Sequence, residues 1–260
     1  MSTELSVKSV DFPALSPTSR QMKVIEANLA GETMRETDLV SVHAPVGGKS
    51  TKWEIEVDGN TEATDEIVGV LVGVAKRGLL WPFEDPSDQR PIVVSNDLIV
   101  GYRVGEKLGD IREEDLEKYR VGDRRYDWQA LSNGPEFGLG SARNGIGKKA
   151  KEGRILAILR QGDTWPLLVH VGVGSFKNLL PFLKRLPCFQ HEAVIGLRLK
   201  IEKSSGGIQF AQIVPRLVGQ LSEEQGEVAN RVYAGPIERM FTELPMSGGG
   251  GASKGDEAPF

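Results

Sequence analysis

The segment Gly138-Leu-Gly140-Ser-Ala-Arg143-Asn-Gly145-Ile-Gly147-Lys148 has the glycine density of a phosphate-binding loop. A nucleoside-triphosphate loop requires Gly, four residues, then Gly-Lys-Ser/Thr. Here Ala142 stands where the first glycine belongs and Lys149 where the Mg²⁺-binding hydroxyl belongs. Arg143 occupies the third glycine's place in the dinucleotide fingerprint, so both nucleotide readings fail. The segment reads instead as a flexible loop whose backbone amides and cations Arg143, Lys148, Lys149 and Lys151 can follow a phosphodiester backbone.

No catalytic constellation accompanies it. His43, His170 and His191 are the histidines of the chain, and none stands beside a cysteine or a carboxylate pair at metal-ligand spacing. His170, on an apolar stretch, reads as a core or rim residue. Asp85, Asp88, Asp97 and Asp110 are candidate Mg²⁺ ligands for a nuclease, but they lie in loops that any acidic surface resembles. The single cysteine, Cys188, lies between Pro187 and Phe189 and reads as a small core residue rather than a nucleophile. The expectation is a protein with no catalytic residues, metal or cofactor, and not an enzyme.

Charge and aromatic placement point elsewhere. Between Arg143 and Lys203 stand twelve Lys/Arg against four Asp/Glu, a local balance of +8 within a chain whose net charge is −4. Such a segment, which includes Lys177, Lys184 and Arg185, suits a polyanion, and equally an ordinary solvated face. Trp81, Phe137 and Phe176 fall in turns or at a helix start, near the cations Arg77 and Lys177. Aromatic faces for bases and cations for phosphates are the components of sequence-tolerant single-strand binding. These residues form the predicted nucleic-acid surface.

A chain of 260 residues with 39% hydrophobic and 26% charged content is long enough to bury a real core. No apolar run is long enough for a membrane span, and Met1-Ser-Thr-Glu-Leu lacks a secretion signal. Together with the lone cysteine, this gives a cytoplasmic expectation.

Residues 1–17, with Pro13 and Pro17, read as a flexible lead-in, and Ser19 to Ala30 as a short amphipathic helix ended by Gly31. Trp53-Glu-Ile-Glu-Val alternates as a half-buried strand, and Ile67 to Ala75 is a β-branched run suited to burial on both faces. Residues 78–150 lose periodicity and read as a long irregular insertion. Strands follow at Arg154–Arg160 and Trp165–Val171, then a helix with Ser175 as N-cap ending before Pro187. Strands at Ala193–Ile201 and Ile208–Val218, the latter interrupted at Pro215, precede helices at Leu221–Ala234 and Pro236–Phe241. This order predicts a β-rich α+β fold over residues 18–244: an OB-like five-stranded barrel with a long insertion and a C-terminal helix.

From residue 245 the chain becomes a Gly-rich tether, expected to be disordered, carrying Asp256-Glu257-Ala258-Pro259-Phe260. This acidic tip ending in Pro-Phe resembles the C-terminus of bacterial single-stranded-DNA-binding proteins. The resemblance implies a docking peptide in which Phe260 and its terminal carboxylate enter a partner's pocket while Asp256 and Glu257 meet basic residues and Pro259 stiffens the approach.

Much of residues 20–220 also resembles a family of uncharacterised proteins of phages, plasmids and other mobile elements. The likeness rests on Asp38-Leu39, Pro45-Val-Gly-Gly, Trp53-Glu, Val68-Gly-Val-Leu-Val with Arg77 and Trp81, Phe137-Gly-Leu-Gly-Ser141, Gly147-Lys-Lys-Ala-Lys-Glu152, Pro166-Leu-Leu, Ser175-Phe-Lys-Asn178 and Gly206-Gly-Ile. Members of that family bear four cysteines suited to zinc. Val93, Leu131, Gly134 and Ala150 stand at the matching places, so the resemblance implies that packing holds the insertion here.

The combined expectation is a single-stranded-DNA-binding protein of a phage or mobile element. It would coat the strand during DNA replication, repair or recombination and recruit host enzymes through its tip. The alternatives are an adaptor that binds host repair factors without DNA, and a metal-dependent nuclease. Homo-oligomerisation is left open.

Overall fold

The computed structural model describes residues 8–16, 20–29, 34–48, 50–57, 59–82, 91–142, 147–204 and 207–242. Its helices and strands are α1 (Arg20–Leu29), β1 (Ser41–His43), β2 (Trp53–Val57), β3 (Asn60–Thr64), β4 (Glu66–Leu80), β5 (Val93–Ser95) and β6 (Val100–Arg103). They continue with α2 (Glu113–Glu117), β7 (Arg120–Gly122), β8 (Arg125–Asp127), α3 (Trp128–Asn133), β9 (Ala150–Arg160) and β10 (Leu167–Gly172). The last are α4 (Phe176–Lys184), β11 (Ala193–Lys203), β12 (Gln209–Gln220), α5 (Glu223–Ala229) and α6 (Gly235–Thr242). The fold is α+β and strand-rich. The chain divides into two compact units, Met1–Val74 with Ile155–Met240, and Ala75–Arg154 with Phe241–Phe260.

In the first unit the strands lie in the order β1-β10-β9-β4, with β11 on β4 and β12 on β11. β1 runs parallel to β10, whereas β11 is antiparallel to both β4 and β12, so the sheet is mixed. Among the described residues no pairing joins β12 to β10, and the sheet stays open instead of closing into the expected barrel. Strand β4 shows why its β-branched run has no alternation: Ile67, Val70, Leu71 and Val72 are all buried. Trp53 of the β2–β3 hairpin is fully buried and donates its indole N–H to the Leu197 carbonyl at 2.8 Å, tying the hairpin to β11. Pro215 does not interrupt β12; it sits opposite Leu197 in a strand whose pairing is with β11, an edge position that proline tolerates.

Two local expectations are corrected in this unit. Residues 8–16 of the lead-in are packed: Phe12 and Leu15 are buried, and Val10 N–H and the Lys8 carbonyl both bond to Gln220 at 2.9 Å. Ser175 does not cap α4 with its side chain; its hydroxyl accepts from Ile213 N–H at 2.9 Å and pins the helix start to β12. Asn178 strengthens that anchor by donating to Gln212 Oε1 at 2.9 Å. At α5, by contrast, Ser222 caps the helix by accepting from Gln225 N–H.

The second unit overturns the irregular insertion. Its strands follow β4-β5-β6-β8-β7, and α2 and α3 complete a separate core around Trp128, Tyr126, Leu131 and Phe137. The elements β5, β6, β7, β8, α2 and α3 are only three to six residues long, too short to display a hydrophobic period. Trp128 opens α3, whose N-cap Asp127 accepts from Ala130 N–H at 3.0 Å. Its indole lies where side chains at Gly78 would be, since a Cβ there would stand 2.4 Å from the ring. Val93, Leu131, Gly134 and Ala150, singled out from the sequence, lie in or beside this core. Val93, Leu131 and Ala150 are all fully buried in this apolar core. Gly134 follows α3, and the Tyr119 hydroxyl lies 1.9 Å from where its Cβ would be.

Candidate nucleic-acid interface

The glycine loop of the second unit holds its cations close. Leu139 bridges Lys148, and Gly140 and Ala142 N–H both donate to the Gly147 carbonyl, which narrows the loop. Lys148 Nζ donates to the Ser132 carbonyl at 3.1 Å and to Asn133 Oδ1 at 3.3 Å, satisfying the open end of α3. Lys149 pairs with Asp110 at 2.8 Å. Lys151 is half-buried, and desolvation pushes its amine below the usual lysine range. Lys148 and Lys149 are engaged within the unit and Lys151 is half-buried, so these side chains do not stand as the open cationic track that the sequence suggests. Arg143 lies outside the described residues.

The aromatic candidates separate in the same way. Phe137 is a core residue, 1% exposed and tilted against Tyr119 at a centroid distance of 5.9 Å, so it offers no face to a base. Trp81 is half-buried, with its indole nitrogen buried and without a hydrogen-bond partner among the described residues. Arg77 is half-buried, donates to Asn96 Oδ1 at 2.6 Å, and is pushed down to about 10 by burial, which leaves it charged at neutral pH. Phe176, in the first unit, is half-buried at the start of α4 and packs against the core beneath it.

The first unit presents a different surface. Lys177, Lys184 and Arg185 are exposed on and just after α4, and no acidic residue lies between Val173 and His191. Among the described residues, Lys184 and Arg185 form no ion pair. Lys177 stands near Glu202 at the end of β11, whose carboxyl is held below the usual range chiefly by Lys200 at 2.9 Å and to a lesser degree by Lys177. Lys203, at the end of β11, is also exposed. Exposed Val173 and Ile208 and the half-buried Phe210, whose ring lies against Gly174, add apolar surface to the unit. Further along β11 and β12, Glu66 receives Arg216 at 2.5 Å and Arg198 at 3.2 Å, and the Arg216 hydrogen bond is the main reason its carboxyl titrates low. One carboxylate between two guanidiniums leaves that group net positive.

The sequence singled out Lys177, Lys184 and Arg185 as candidates, counted Lys200 and Lys203 only within its basic segment, and did not single out Phe210. The alternation Arg198-Leu-Lys200 marks an outward-facing cationic row on β11 and could have revealed part of it. Phe210 gave no such signal, because its exposure depends on the turn before α4. The partner-binding candidates Asp256, Glu257, Pro259 and Phe260 lie outside the described residues.

The bland readings of the other reactive residues fit. His170 is half-buried and stacks on His43 across the β1–β10 pairing, with ring centroids 4.3 Å apart. Cys188 is half-buried against the core, and burial raises its thiol. Among the described residues no three His, Cys, Asp or Glu side chains are grouped to hold a metal ion, and no helix is long and apolar enough to cross a membrane. No protein-family model, curated protein or solved structure matches this chain.

Proposed function

We propose that this protein binds single-stranded DNA through the first unit, as a stoichiometric coating protein of a phage or mobile element. The observation that carries the reading is the acid-free stretch from Val173 to His191, in which Lys177, Lys184 and Arg185 are exposed together with Val173. Exposed cations such as Lys184 and Arg185, with no acid in their stretch of chain, meet phosphates at low desolvation cost, and aromatic or apolar surface accepts bases of any sequence. The order β4, β9, β10, α4, β11 and β12, with β11 returning to β4, supports an OB-like reading of the sheet. In this reading Asp256 to Phe260 recruits host replication and repair proteins.

Titration of a fluorescein-labelled 20-nucleotide oligothymidylate tests the proposal. Binding is expected to exceed that of a duplex of the same length, and Lys177→Gln with Lys184→Gln is expected to weaken it. Equal affinity for single strand and duplex would overturn it. Cleavage of the strand on adding Mg²⁺ would favour the nuclease alternative. Partner capture through the tip with no DNA binding would favour the adaptor.

A further inference from the structure

The α4–β11 connection contains an aromatic pair that the cationic surface alone does not explain. Phe189 and His191 stack with centroids 5.5 Å apart and planes within 5° of parallel. Phe189 nevertheless remains 69% exposed, so the ring face opposite His191 is open to solvent. A large apolar ring left exposed gains nothing from burial, and its stacking partner already has a face in use. Its conformation is fixed by other residues: Glu192 Oε2 accepts from Phe189 N–H at 3.3 Å, and Glu192 N–H donates to the Phe189 carbonyl at 3.0 Å. Gln220 Nε2 holds the same carboxylate at 3.1 Å, and Leu221 N–H donates to the Glu192 carbonyl at 2.9 Å. The turn is therefore fastened to the end of β12 while its aromatic pair projects outward.

We infer that the open face of Phe189 is a stacking platform for a nucleobase of a single strand. This inference rests on the single-strand reading and adds a base-contact site on the α4–β11 connection, beside cations proposed for phosphates. Lys184 and Arg185 precede Phe189 by five and four residues, are exposed, and have no ion pair among the described residues. They provide the charge complementarity that favours a nucleic acid over an apolar peptide. His191 backs the ring, so a base stacking on Phe189 extends a stack that already exists and requires no new ordering of the side chain. The site is sequence-tolerant, because every base has a π-face.

The experiment compares oligothymidylate with an abasic strand of equal length, using the full chain and its Phe189→Ala and Phe189→Trp variants. Phe189→Ala is expected to lose about tenfold in affinity for oligothymidylate, within the range for one stacked base, and to bind the abasic strand as wild type does. Phe189→Trp is expected to retain wild-type affinity and to show indole quenching on binding. If wild type binds oligothymidylate and Phe189→Ala binds it equally, the platform is wrong and the single-strand reading stands. If wild type binds neither strand at low salt, the single-strand reading fails and the platform fails with it.

Discussion

The two units use similar residue types in opposite ways. In the second unit the cations are matched at close range: Arg103 with Glu113, Lys118 with Asp115 and Glu136, Arg120 with Glu117, Arg124 with Glu106 and Lys149 with Asp110. In the first unit Lys184 and Arg185 are exposed in a span, Val173 to His191, that contains no acid, while exposed Lys177 and Lys203 stand near Glu202, which is already held by Lys200. The aromatic residues divide less sharply, since Trp53, Phe12 and Tyr233 are buried in the first unit. Trp128, Tyr126 and Phe137 fill the core of the second unit, whereas Phe189 and Phe210 reach the surface of the first. A count of basic residues along the chain therefore measures how many cations there are, and their local partners decide which are open to a polyanion.

The comparison breaks most readily at Trp128. Trp128→Ala removes the largest side chain of the second core, and a loss of about 3–5 kcal/mol is expected by denaturant titration. An unchanged midpoint would mean that the insertion is not held by this packing. Gly134→Ala is expected to cost about 1–3 kcal/mol, because the new methyl group collides with the Tyr119 hydroxyl. A neutral result in thermal denaturation would show that Tyr119 moves aside freely.

The cations offer a sharper contrast. Lys184→Gln with Arg185→Gln is expected to weaken oligothymidylate binding about tenfold at low salt, since each lost phosphate contact removes a share of counterion release. Lys148→Gln with Lys149→Gln is expected to change it less than about twofold, because those amines are engaged elsewhere. Parallel fluorescence titrations of the two variants, with equal losses, would erase the distinction between the units.

The smallest effect concerns acid stability. Glu66 titrates below its unfolded value because of Arg216 and Arg198, so its contribution is full above the unfolded value and lost as pH falls through the folded one. Glu66→Gln is expected to flatten the loss of stability below about pH 4.5, by less than about 1 kcal/mol for so exposed a pair of arginines. Urea midpoints between neutral and acid pH would check this, and an unaltered acid limb would remove Glu66 from the account.

Much of the first unit was legible in the sequence. The alternation of β11 and the helical spacing of Leu179, Leu180 and Leu183 each extend over more than one period, so elements of nine to twelve residues declared themselves. Phe12 and Leu15 were missed because two apolar residues among prolines form no period, although both are buried. The second unit was opaque for a related reason. Its elements are shorter than two helical turns, and its core depends on Gly78 lying beneath Trp128, a contact between distant segments. Lys148 and Lys149 were misread because Ser132 and Asp110, which engage them, are remote in sequence. Phe137 was misread because its flanking glycines suggest an open loop, while its ring turns inward. Lys184 and Arg185, read as surface cations, are exposed, in a stretch without acids from Val173 to His191.

The salt dependence of oligothymidylate affinity tests the central claim most directly. The account expects log affinity to fall linearly with log salt for the wild-type chain, with a slope about 1.4 units shallower for Lys184→Gln with Arg185→Gln. The same slope in that variant as in wild type, or no salt dependence at all, would contradict it.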